Sequence, residues 1–323
     1  MDARSIFFNE FGKLRSGWRF AVFIALMTLA GMLFGGLAIF ALGLAFPEAV
    51  AGGTPLLLAV NGVVSLAISL GVGWFCGKYL ENLPFRALGA AFTKGWLKHF
   101  VLGSLLGVVS LSFAVLIGMI FGGLSFRFNA ESSGTAILRT LIFSFLIFAA
   151  AAAFEEALFR GYILQTFMRS GHVLFGIVLT SLLFATVHNA NPGATAFSWI
   201  NTFLAGVWFG VAYLKTRDLW LPFGLHLTWT WAQGSIFGVE VSGLTDLVSA
   251  PLMRETDVGP AWLTGGNYGI EGGIACTVAL AAATAAVYFL PIAKPTDEMI
   301  AFTSTESKGL DLKGNIDRPG GVG

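Results

Sequence analysis

The sequence predicts an all-α membrane protein, a polytopic helical bundle of about eight transmembrane helices with both termini in the cytoplasm. Three observations carry that expectation. Of 323 residues, 56% are hydrophobic and 11% charged, with a mean hydropathy of +0.78, whereas a water-soluble domain carries roughly 25% charged residues. The runs Phe20–Phe46, Leu56–Cys76, Phe100–Phe121 and Gly273–Ile292 reach the ~20 residues a helix needs to cross hydrocarbon. Lysine and arginine are also distributed unevenly between alternate connections, as membrane orientation requires.

Taken in order, residues 1–18 read as an interfacial segment, with Ile6, Phe7, Phe8, Phe11 and Leu14 interleaved with Lys13, Arg15 and Trp18. The first long apolar run starts near Phe20 and is too long for the core of a cleaved signal, so it is expected to stay as an anchor. Residues 19–135 hold the N-terminal transmembrane helices, at about 19–46, 55–77 and 97–121. Residues 136–240 form a second group, with helices at about 136–159, 173–188, 197–214 and 219–238. Residues 241–292 supply an acidic external loop and a last helix from about 273. Residues 293–323 are expected to be a disordered cytoplasmic tail. Pro47, Pro55, Pro84, Pro192, Pro222, Pro260 and Pro291 fall near breaks or span ends.

Sixteen of the 19 lysines and arginines fall on connections placed inside, and only Arg127, Arg139 and Arg254 fall outside. That asymmetry orients the chain in a plasma membrane of bacterial type. A net charge of +1 with no basic block gives no footprint for nucleic acid. Cys76 and Cys276 both sit within apolar spans and read as packing residues.

Chemistry concentrates at Phe154-Glu155-Glu156-Ala157-Leu158-Phe159-Arg160, directly after the apolar run Leu141–Ala153. A carboxylate is costly in hydrocarbon unless it has partners or work. On a helix Glu156 and Arg160 are four apart and can pair, while Glu155 points about 100° away. The plainer reading is that both glutamates mark a helix end at the interface. Two histidines weigh against it. His188 ends the run Ile177–Val187, and His226 lies within Leu219–Phe237. Glu155 precedes the Ser170-Gly171 turn by nearly as many residues as His188 follows it. Both should therefore stand about 25 Å from the turn on neighbouring antiparallel helices. His226 follows the Lys215–Asp218 turn by ~12 Å, so the three converge if the Gly161–Ser170 segment projects into water. This leaves Asn189–Gly193 within the membrane, which is tolerated where backbone lines a cavity, and a pocket is expected there. Thr230, one turn beyond His226, could donate a hydrogen bond beside the imidazole or bond back to its own helix.

Glu155-Glu156-x-x-x-Arg160, Phe184-x-x-x-His188, the glycine-spaced stretch Phe203–Gly210 and His226-x-x-x-Thr230 together resemble the CPBP family, the CAAX-type intramembrane proteases, over about residues 136–240. The resemblance implies an all-helical fold with a glutamate-dependent endopeptidase site opening toward the cytoplasm. It implies Glu155 as the base that activates water, His188 as its assistant, His226 with Thr230 as stabilisers of the oxyanion, and Glu156 and Arg160 as supports of the first glutamate. The family usually carries Asn where this chain has Thr230. The substrate it implies is a membrane-anchored or lipidated peptide or protein, met in the lipid bilayer. No cofactor is expected: Glu155, His188 and His226 are a conceivable zinc set, but the spacing is not His-Glu-x-x-His and nothing local demands a metal. Two rivals stand beside the protease: a non-catalytic scaffold or bacteriocin-immunity-type binder of the same fold, which Thr230 keeps open, and a proton-coupled transporter, which the lack of internal repeats disfavours.

Overall fold

The computed structural model describes residues 3–51, 55–121, 123–244 and 247–304. All eight apolar segments are helical. We label them α1 (Ser16–Ala45), α2 (Pro55–Glu81), α3 (Trp96–Ile120), α4 (Gly134–Arg169), α5 (Val173–His188), α6 (Ala196–Thr216), α7 (Trp220–Trp231) and α8 (Ile274–Phe289). Among the described residues α1, α2, α3, α4 and α6 are long and apolar enough to cross a membrane, while α5 and α8 are shorter apolar helices. The protein is therefore an integral membrane protein, mostly helical.

It is not wholly α. Leu124–Phe128 and Met253–Asp257 form an antiparallel pair, β1 and β2, which ties the connection after α3 to the loop before α8. Just past β1, the side-chain oxygen of Asn129 accepts from Arg254 Nε of β2, 125 residues away, at 3.0 Å. Such a pairing has no hairpin turn to announce it in the sequence. At the N-terminus, a short helix, Ala3–Phe7, is followed by a turn closed by a Phe8–Leu14 bridge.

Close approach of helices rests on glycine, since apolar side chains gain little from one another when lipid is the alternative. α3 and α7 pack most intimately. A Cβ at Gly107 of α3 would collide with Thr228 Oγ1 and Leu225 O, and one at Gly224 of α7 with Phe100 O. Gly206 of α6 lies against Ser181 of α5 in the same way. The central core gathers Leu111, Phe159, Phe184, Trp208, Phe209 and Trp229.

α4 passes through a π turn at Phe159–Ile163, immediately after the two glutamates. Single π turns inside α-helices recur at functional sites. The stretch beyond it does not project into water. Residues 161–169 are buried throughout, because the chain after α2 folds under them: Gln165 Nε2 donates to Leu88 O at 3.0 Å. Glu81, at the end of α2, accepts from Arg169 Nη2 at 2.8 Å and from Arg19 Nη1 at 2.7 Å. A span-edge acid is thus the buried centre of an ion-pair network joining α1, α2 and α4. His99 is likewise buried, with Nδ1 2.6 Å from Asp218 Oδ2.

Of the expected tail, residues 305–323 lie outside the described residues. Its beginning is ordered: Asp297–Thr303 is a helix, with Met299 fully buried and Glu298 paired to Arg86.

Candidate active site

Glu156 is fully buried, and its Oε1 accepts two hydrogen bonds. One comes from Arg160 Nη1 at 3.1 Å, one turn on, as helical spacing requires. The other comes from His226 Nδ1 of α7 at 2.9 Å. Arg160 is itself fixed: Nη2 donates to Gly206 O at 2.9 Å, and the guanidinium lies 5.2 Å from the ring centres of both Phe184 and Phe209. Glu156 therefore joins the site by holding His226, not by touching Glu155.

Glu155 turns the other way. Its Oε2 lies 3.6 Å from His226 Nε2 and 4.0 Å from His188 Nε2. These separations exceed a direct hydrogen bond, and this buried oxygen has no hydrogen-bond partner among the described residues. His188 Nδ1 is 2.8 Å from Phe184 O. A carbonyl only accepts, so Nδ1 carries a proton, and in the singly protonated ring Nε2 presents a lone pair. The carboxylate of Glu156 gives His226 the same tautomer. With both rings in this singly protonated form, three acceptors face one another with no donor between them. The ring of His226 is held by stacking on Phe209 at 4.6 Å and by the edge of Phe184 at 5.8 Å.

Glu155, His188, His226 and Thr230 all line one cavity of ≈ 400 Å³. Its remaining wall is mainly apolar, including Ile147, Ala151 and Trp208, with Asn61 from α2 and Asn191 from the connection after α5. The pocket expected beside Asn189–Gly193 is therefore present. Thr230 is on the wall, but its hydroxyl donates to His226 O at 2.8 Å and lies 3.2 Å from Leu227 O. The proton is committed to the helix, and only oxygen lone pairs remain for the cavity.

Residues 135–232 match the family model of Rce1-like type II CAAX prenyl endopeptidases. The match is consistent with the CPBP resemblance, begins at the start of α4 and ends at the last turn of α7. It encloses Glu155, Glu156, Arg160, His188, His226 and Thr230. No curated protein and no solved structure matches the chain. The similarity is thus to CAAX-type endopeptidases, over this segment of the chain.

Sequence reasoning missed one charged residue of this cavity. Glu271, from the loop before α8, lies on its wall and outside the Rce1-like segment. No motif marks it, and it lies in a glycine-rich stretch between Ile270 and Gly272. As for metals, among the described residues no group of three or more His, Cys, Asp or Glu side chains is arranged to hold an ion.

Proposed function

We propose that the chain is an intramembrane endopeptidase that hydrolyses a peptide bond in a membrane-anchored or lipidated substrate by glutamate-activated water. The observation that carries this reading is the unpartnered Glu155 oxygen facing two imidazole nitrogens across the cavity wall. A set of acceptors without a donor is filled by a water molecule, whose two O–H groups reach Glu155 Oε2 and one Nε2.

Glu155 takes one proton as the water oxygen attacks the carbonyl carbon, and returns it to the departing amine nitrogen. His188 holds the water on its other side. His226 enters the cycle as the imidazolium, with a proton taken up from solvent on Nε2 before the attack. Nε2–H then donates to the developing oxyanion while the ring's charge lies against Glu156, and the proton stays on the ring throughout. Glu156 and Arg160 act through His226 by fixing its orientation. Thr230 can join the oxyanion contact only by releasing the carbonyl of His226. The positive-inside asymmetry supports cytoplasmic termini and a site in the cytoplasmic half.

Purified protein in detergent with a fluorogenic apolar or lipidated peptide tests this. Glu155→Gln should abolish cleavage, and His188→Ala and His226→Ala should each reduce it by about 10²–10⁴. Cleavage by Glu155→Gln at the wild-type rate would sink the mechanism. A chelator arm decides the zinc alternative, because a metal-free site keeps its rate.

The committed hydroxyl of Thr230 favours a second reading, a binder of the same fold that retains the cavity without turnover. Peptide binding without cleavage by any tested substrate is its signature.

A further inference from the structure

The mechanism above uses one carboxylate of the cavity and leaves the other unexplained. Glu271 is rigidly held: Oε1 accepts from Trp229 Nε1 at 3.2 Å, and Oε2 accepts from Ser242 N at 2.9 Å and Ser242 Oγ at 2.7 Å. Its own backbone carbonyl accepts from Asn201 Nδ2 at 2.8 Å. An ionised carboxylate has about four acceptor sites, so Oε1, with one donor, keeps capacity facing the cavity.

Trp229 follows His226 by three residues on α7, which places it about one turn (~5 Å) further from the Lys215–Asp218 turn. Glu271, bonded to Trp229, thus lines the same cavity as Glu155 about one turn of α7 beyond the level of His226. The charge balance is one-sided. Glu155 and Glu271 line the cavity, and no lysine or arginine lines it among the described residues. Arg160 does not redress this, being paired with Glu156 behind the wall. In a cleft with low-dielectric walls such an imbalance attracts the opposite charge.

We propose that Glu271 makes its part of the cavity wall a subsite for a cationic side chain, so that the preferred substrate is an apolar peptide bearing a lysine or arginine close to the scissile bond. This rests on the endopeptidase reading. At ~3.3 Å per extended residue, the cation belongs within about three residues of the cleaved bond. The pairing forms in the substrate complex, so it acts mainly on KM.

The test uses fluorogenic apolar peptides that differ at a single position, Lys against Gln, scanned over three residues on each side of the cleaved bond. Wild-type protein should prefer the lysine peptide at one position by about tenfold or more in kcat/KM, the scale of a charge-assisted hydrogen bond. Glu271→Gln should erase that preference, read within the variant as equal KM for the lysine and glutamine peptides whatever its overall rate. Glu271→Asp, which keeps the charge, should retain part of it, and serves if the glutamine variant does not fold. No lysine preference in the wild type, or an unchanged preference in Glu271→Gln, overturns the proposal. Binding of the same peptides to Glu155→Gln protein, followed by fluorescence anisotropy, separates the two readings. A Glu271-dependent lysine preference there, without cleavage by the wild type, would keep the subsite and discard the endopeptidase.

Discussion

Replacing Glu156 with glutamine removes a countercharge at full burial while nearly preserving shape. Breaking a buried ion pair from one side costs about 3–5 kcal/mol, because the remaining charge is stranded. Arg160 would still donate to Gly206 O at 2.9 Å and keep two aromatic faces at 5.2 Å, so the lower end, about 3 kcal/mol, is expected. Adding Arg160→Met removes the stranded charge and should return about 2 kcal/mol of that loss. Activity should not return with it. His226 Nδ1 would face a neutral amide oxygen rather than a carboxylate, and losing such an orienting partner costs about 10- to 100-fold. Cys76 and Cys276 are both free and buried, so labelling by a thiol-reactive dye during heating reports unfolding directly, beside peptide cleavage. The reasoning is refuted if Glu156→Gln is as stable as the wild type, or if the double variant recovers full cleavage together with stability.

Two further outcomes follow from the site and the loop. Thr230→Asn places an amide donor where the hydroxyl proton is committed to the helix, and should raise kcat by about tenfold to a hundredfold; an unchanged or lower kcat would show that this position does not limit the rate. Burial, with Glu240 and Asp257 nearby, pushes the Glu255 carboxyl of β2 up from 4.5 to about 8. Between those values the folded chain holds a proton that the unfolded chain has lost, so stability falls as pH rises through this window. Glu255→Gln should flatten that fall, read as Tm against pH from 5 to 9 and as protection of residues 253–257 in hydrogen exchange; parallel curves for the two proteins would refute it.

Much of the helical layout was legible because hydropathy and proline breaks report directly on chain segments. Each of the eight expected segments is helical in the structure, with most ends displaced by a few residues and α4 running on to Arg169 past its expected end near 159. The levels of Glu155 and His188 were legible too, because helical rise is constant and a tight turn fixes the register. Arg160 bonding to Glu156 needed only a four-residue spacing. The covered segment at 161–169 was not, since it depends on where the chain after α2 folds back, and Leu88 lies 77 residues from its partner Gln165.

By itself, then, the sequence determined the membrane class, the helices, the heights of the candidate site residues along them and the spacing that pairs Glu156 with Arg160. Tertiary structure alone decided which residues face one another across helices. It placed Glu156 on His226, 70 residues away, committed the Thr230 proton to its own helix, buried Glu81 between two arginines and brought Glu271 into the cavity. The physical reason is that lipid removes the usual clue to helix rotation. A helix apolar on every side carries no amphipathic stripe to say which face turns inward, so rise along the axis can be read from the chain, but the angle about it is set by glycine contacts and buried polar partners that only the assembled bundle provides.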